Sequence, residues 1–330
     1  MKSAVSVLAG ACLVWMAMPA PPAMADPAVP TNYTSEVTGI EPAVDGVEAE
    51  VVGGDAFLSV HAGPGTEVVV LGYRDEPYLR IDPEGAVWRN RRSPATYLND
   101  DRYGQREIPA EAEAAADPEW ELIGGQGRWS WHDHRIHWMS PDRPPQLTGD
   151  REQEVFEWEV PMLVDGEEVV VTGRLAWRPD VSPFPAALVG LAGLIPLVAV
   201  RRRSSALMSW FAIGAGGVGA VAAVGQWLAS PADARGFPVA ATFLGVAVVV
   251  ALASLRFDRA RSARSAAIAG ALLAGWGWSR LATLTRPIVP SVNPEWLDRG
   301  ATALVLVTGV AVVVAALTLS GRLLSDEPQR

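Results

Sequence analysis

The amino-acid sequence predicts an all-β sandwich or Greek-key extracytoplasmic domain followed by an α-helical transmembrane bundle. Three observations predict it. Short runs rich in Val, Phe and Trp, broken by Gly, Pro and Asp, fill the first half of the chain. Long apolar runs fill the second half, after Pro183. The arginines of that second half concentrate after alternate apolar runs, as the positive-inside rule requires of a multi-pass protein.

Residues 1–25 have the form of a signal peptide. Lys2 is the basic start, Ala4–Met18 the apolar run, and Ala23-Met24-Ala25 the small-residue close, which puts the mature start at or near Asp26. The competing reading, an uncleaved anchor helix, meets the difficulty that the run is short for a span. Cys12 is the only cysteine, so a cleaved product has no disulfide, no thiolate metal site and no cysteine nucleophile.

Residues 26–182 form the expected outer domain. From residue 27 onward they carry about 30 Asp and Glu against about 13 Arg, an acidic balance that suits a solvated exterior and excludes a nucleic-acid footprint. Strand-like runs appear at Val51-Val52, Phe57–Val60 and Val68–Leu71. Farther on, Phe156–Val160 alternates with period two, and runs at Val160–Val164 and Val169–Trp177 flank Asp165-Gly166, a pair that favours a tight hairpin. Within the last run, Val169, Val171, Gly173, Leu175 and Trp177 share one face. Residues 110–119 read as a loop or short helix, and Pro141–Gly149 as a Pro-rich connection. Many short strands in about 155 residues point to one sandwich or barrel.

Three of the four histidines fall in one stretch, Gly127-Arg-Trp-Ser-Trp-His-Asp-His-Arg-Ile-His-Trp-Met139. If residues 128–139 form a strand, side chains alternate: Ser130, His132, His134, Ile136 and Trp138 share one face. His132 and His134 then project together and can grip one metal ion. His137 joins them only through a bulge near Arg135 and Ile136, and His61, at the end of another strand, is the remote third ligand. All-imidazole ligation fits Cu or Zn. Asp133 points to the other face, as a partner of Arg135 or of a ligating histidine, and Met139 with His137 offers a softer Cu(I) set. Against the metal stands a core reading, in which the histidines hydrogen-bond inside a Trp-rich β interior and Asp133 and Arg135 satisfy one another. A third reading is a pH-responsive joint of clustered imidazoles. Nucleophilic hydrolysis lacks a Gly-x-Ser-x-Gly elbow, and no phosphate-binding loop precedes a helix.

Residues 183–321 read as five transmembrane helices at about 184–200, 206–229, 237–255, 265–285 and 301–320. Arg201–Arg203 and the cluster Arg256, Arg259, Arg261 and Arg264 mark cytoplasmic loops, leaving loops 230–236 and 286–300 outside and the 322–330 tail inside. Small residues at Ala212, Gly216 and Ala220, and at Ala215, Gly219 and Ala223, permit close helix contact. Arg280 is the one ionised residue well inside a span; it lies toward the outer end near Trp276 and Trp278, where it snorkels or contacts the outer domain. Gln226 lies on the same side.

The stretches Val68–Tyr73, Glu76–Arg80, Ser93–Asn99 and Trp131–Met139 carry a resemblance. With them, the chain resembles uncharacterised actinobacterial envelope membrane proteins that have an outer β domain and C-terminal spans. The resemblance covers most of residues 40–320 and implies the architecture but no activity. Through His132-Asp133-His134 alone, the outer domain is also loosely similar to bacterial copper-handling β domains. It departs from those that use an N-terminal histidine, since the mature start is at or near Asp26.

The functional expectation is therefore a cell-membrane protein, outer domain exposed and C-terminus cytoplasmic, that binds or handles a divalent metal, copper before zinc. The expected ligands are His132, His134, His61 and His137. The alternative is a structural or partner-docking cell-envelope module with a Trp/His-rich core and no metal. Expected partners are the lipid bilayer and a membrane or envelope protein; neither reading makes the chain an enzyme.

Overall fold

The computed structural model describes residues 27–100, 102–140, 142–148, 150–202 and 204–325. The expected signal peptide, Cys12 and the end of the tail lie outside them.

Among the described residues ten antiparallel strands form two sheets, with Val at alternate positions clearest in the last strand, Glu167–Trp177. The first strands are β1 (Tyr33–Glu41), β2 (Val47–Val52), β3 (Phe57–Ala62), β4 (Val68–Leu71), β5 (Pro77–Ile81) and β6 (Val87–Asn90). A single helical turn, α1 (Ala95–Leu98), precedes β7 (Trp120–Gly124), β8 (Arg128–Trp131), β9 (Gln153–Val164) and β10 (Glu167–Trp177). The larger sheet has the order β1-β10-β9-β4-β5-β6-β7, and β2-β3-β8 form the smaller one. Val47, Leu58, Val60 and Trp131 of the small sheet join Val70, Leu79, Val160, Met162 and Val171 of the large one in a single apolar cluster. Residues 110–119 contain turns and no regular helix, although five of the ten are Ala and three are Glu; Asp117-Pro118 closes the segment.

The centre of the large sheet is the β9–β10 hairpin. Asp165 and Gly166 both have positive φ, 51° and 85°, the backbone of a type I′ turn that matches strand twist. The runs expected at 156–160 and 160–164 are one continuous strand, with Pro161 inside it just beyond the end of the β4 register at Met162. Val169, Val171, Gly173, Leu175 and Trp177 are all buried, so the expected face is the core face. Gly173 has a steric reason: the Trp158 ring lies where a Cβ would be, and Trp158 Nε1 reaches across β10 to donate to Ser35 Oγ of β1 at 2.8 Å.

After Pro183 the chain is helical. Helix α2 (Phe184–Leu191), a 3₁₀ segment at Ala192–Leu197 containing Pro196, and α3 (Val198–Arg201) follow one another; Pro196 has no N–H to extend the α ladder. Then come α4 (Ser205–Leu228), α5 (Val239–Ser254), α6 (Arg259–Ser279), a 3₁₀ turn at Leu281–Leu284 and α7 (Glu295–Ser325). By length and composition, Ser205–Leu228 and the Glu295–Leu319 part of α7 are long and apolar enough to cross a membrane; Phe184–Val200 and Val239–Ser254 are shorter apolar segments. The small-residue rows of α4 meet neighbours: Gly216 lies against Val248 and Leu273, and Gly219 against Leu244 and Val305.

The β region is tied to one end of these helices. Thr31 and Ile288 exchange backbone hydrogen bonds of 3.0 and 3.1 Å, and the Val181 N–H donates to Thr285 O at 2.7 Å. Arg286 donates to Asn32 Oδ1 and to Asp180 Oδ1, the latter at 3.3 Å. In the α4–α5 connection, Asp233 accepts from the Ser130 N–H at 2.5 Å and from Ser130 Oγ at 3.3 Å.

Candidate functional site

Strand β8 aligns Leu58 with Trp131, Ser59 with Ser130, Val60 with Trp129 and His61 with Arg128. It ends at Trp131, so the strand expected over 128–139 stops before its first histidine. The cause is Asp133. Its carboxylate accepts the Arg135 N–H at 3.0 Å, two residues on, which is an Asx turn competing with the ladder. The same carboxylate takes Arg135 Nε at 2.8 Å, Arg135 Nη2 at 2.7 Å and Trp131 Nε1 at 2.9 Å, and a second turn bond joins the Ile136 N–H to Asp133 O. Burial alone would raise the Asp133 carboxyl, but Arg135 and the Trp131 indole outweigh it and hold it below the ordinary carboxylate range.

Three consequences follow for the histidines. His132, 1% exposed, is stacked on Phe57 with ring centroids 4.5 Å apart, and its Nδ1 lies 2.5 Å from Ala56 O. His134 sits beside Tyr73, whose hydroxyl accepts the His134 N–H at 2.9 Å and donates to Asn99 Oδ1. His134 and His137 meet edge to face with centroids 5.5 Å apart. The pair that shares an edge is thus 134 with 137, in place of the expected His132 with His134, because the turn at 133–136 replaces strand alternation.

His137 is 1% exposed, and its Nε2 is buried with no hydrogen-bond partner. Burial, then the charge of Arg102 and the neighbouring His134, lower its pKa to about 3, so it stays neutral across ordinary pH. His61 is elsewhere. It stands 3.9 Å from Glu48 on β2 and pairs in register with Arg128, four residues before His132, or about 13 Å of strand. Met139 is exposed. Among the described residues, no three His, Cys, Asp or Glu side chains are grouped as a metal ion would require.

Around this segment lie polar groups that the sequence did not single out, Arg102 and Asp55 first, together with further contacts of Arg135 and His132. Arg102 makes a 2.5 Å ion pair with Asp55, which is fully buried with Oδ1 unpartnered; burial raises the Asp55 carboxyl despite the arginine. Arg135 lies over the Tyr73 ring at 5.0 Å and donates to Leu71 O at 3.2 Å. His132 and Trp138 also wall a cleft of about 880 Å3 that Arg102, Arg143 and Arg286 enter.

At the helix end that meets the β region, Arg280 donates to Gln226 Oε1, Gln226 Nε2 donates to Asp298 Oδ1 at 3.3 Å, and Arg280 lies 5.9 Å from the Trp276 ring. Asp298 is fully buried, and Asn293 Nδ2 also donates to it at 3.4 Å. The sequence placed Asp298 in a loop because the apolar run begins only at 301. The helix begins earlier, with Glu295 and Asp298 in its first turn, where carboxylates suit the positive end of the helix dipole.

Comparisons with protein-family models, curated proteins and solved structures return no match to this chain.

Proposed function

We propose that the protein is a multi-pass cell-membrane protein whose β region stands on the outer side as a structural and partner-docking module. In this reading the two sheets form a sandwich around their shared cluster, the helices form a bundle, and the Trp/His segment is the module's core. One observation carries it. The β region is bonded to segments 231–234 and 285–288, in or beside the two connections that the arginine distribution assigns to the outside, while the Arg-rich connections lie at the opposite helix ends. The buried Asp133–Arg135 pair and the stacked His132 support the core role, since the Asp133 carboxylate, the Arg135 guanidinium and His132 Nδ1 are each spent on a neighbour in the fold. Cysteine labelling from outside intact cells tests the placement.

A second reading keeps the metal. The 5.5 Å approach of His134 and His137, with His137 Nε2 unpartnered, is its support, and His132 lies close enough to influence His137. The positive charge of Arg102 beside them opposes a second cation. Titration of the full chain with Cu(II) and Zn(II) separates the readings. One equivalent taken up by the wild type and lost in His134→Ala/His137→Ala supports the metal; no saturable uptake supports the core.

A further inference from the structure

We infer that the cleft beside the His/Trp segment is a binding site for a neutral saccharide, an inference that rests on the outer placement proposed above. At about 880 Å3 the cleft is large enough for one or two sugar rings.

Its charges decide the class of ligand. Arg102 is matched by Asp55 behind it, Arg286 by Asp180 at 3.3 Å, and the remaining pair in the lining is Arg143 and Asp150. The lining holds three guanidinium groups and two carboxylates, and Asp55 behind Arg102 supplies the third, so the cleft offers neither a phosphate nor a metal cation a net opposite charge. The same groups set forked donors beside two-oxygen acceptors. That is the complement of a ring of hydroxyls, each of which both donates and accepts.

Two further features fit a sugar. Tyr103, 41% exposed, and the half-buried Trp138 supply aromatic surface for the C–H face of a pyranose. Trp177 plays a different part: Arg143 lies over its ring at 3.9 Å, so that indole braces the guanidinium. Arg102 and Arg286 are likewise braced, by Asp55 and by Asn32 with Asp180, so little side-chain freedom is lost when a ligand arrives.

The test uses the full chain in nanodiscs of neutral lipid. Tryptophan fluorescence and saturation-transfer NMR are recorded against maltose, cellobiose and diacetylchitobiose, with inorganic phosphate as the charged comparator. The expected result is saturable binding of at least one disaccharide. Tyr103→Ala and Asp150→Ala, both exposed positions, should each weaken it by about tenfold or more with the melting temperature unchanged. The inference is overturned if no disaccharide saturates, if both variants bind as the wild type does, or if phosphate binds and the sugars do not. Outside labelling of the β region is read separately, so lost sugar binding in a correctly placed chain overturns this inference alone.

Discussion

Asp133 and Arg135 are two residues apart, both largely buried, and joined by two side-chain bonds and one backbone bond. Removing one partner of such a pair leaves a charge stranded in low dielectric, at a cost of about 3–5 kcal/mol. Arg135→Met should therefore destabilise strongly, and Asp133→Asn/Arg135→Met should recover part of the loss; chemical denaturation of all three proteins measures this. His137 gives a pH prediction. Above pH 6.5 its imidazole is neutral in both states, and between 6.5 and about 3 only the unfolded chain takes up the proton. Stability should thus fall with acidification through that window, by about 1.4 kcal/mol per pH unit from this one group, and level off below it. In His137→Phe that component of the slope should vanish; an unchanged acid profile would exclude His137 as its source.

Among the elements, β10 was legible because nothing local competes with its alternation, and Asp165-Gly166 names its own turn. The segment 128–139 was half legible. Its Trp residues enter the core as β8 does, but alternation carried past Trp131 misplaced His132 and His134, since a single Asp side chain captured the backbone two residues on. His61 was placed from sequence near the end of a strand, as β3 has it, but not relative to His132: that depends on the β3–β8 register, which no local pattern states. The same holds for Asp55 with Arg102, 47 residues apart. Gly173 tests the β1–β10–β9 packing. Gly173→Ala must displace the Trp158 ring and its bond to Ser35, and overpacking of this kind costs about 1–3 kcal/mol. A thermal melt identical to wild type would mean that the ring is not seated there.

At the scale of the whole molecule, the β region and helices are joined through one face, where Arg286, Asp180, Asn32, Ser130 and Asp233 meet. Composition located the change from strands to helices at Pro183. It did not reveal the joint, which is made of the backbone pairs Thr31–Ile288 and Val181–Thr285 and of single polar side chains far apart in the chain. The central claim, that this face is the outer one, is tested most directly by cysteine labelling in a Cys12→Ser background. Leu122 of β7 and Phe257 in the α5–α6 connection are both exposed. With a membrane-impermeant maleimide on intact cells, Leu122→Cys should react at once and Phe257→Cys only after lysis. Labelling of Phe257→Cys in intact cells with Leu122→Cys protected would contradict the account.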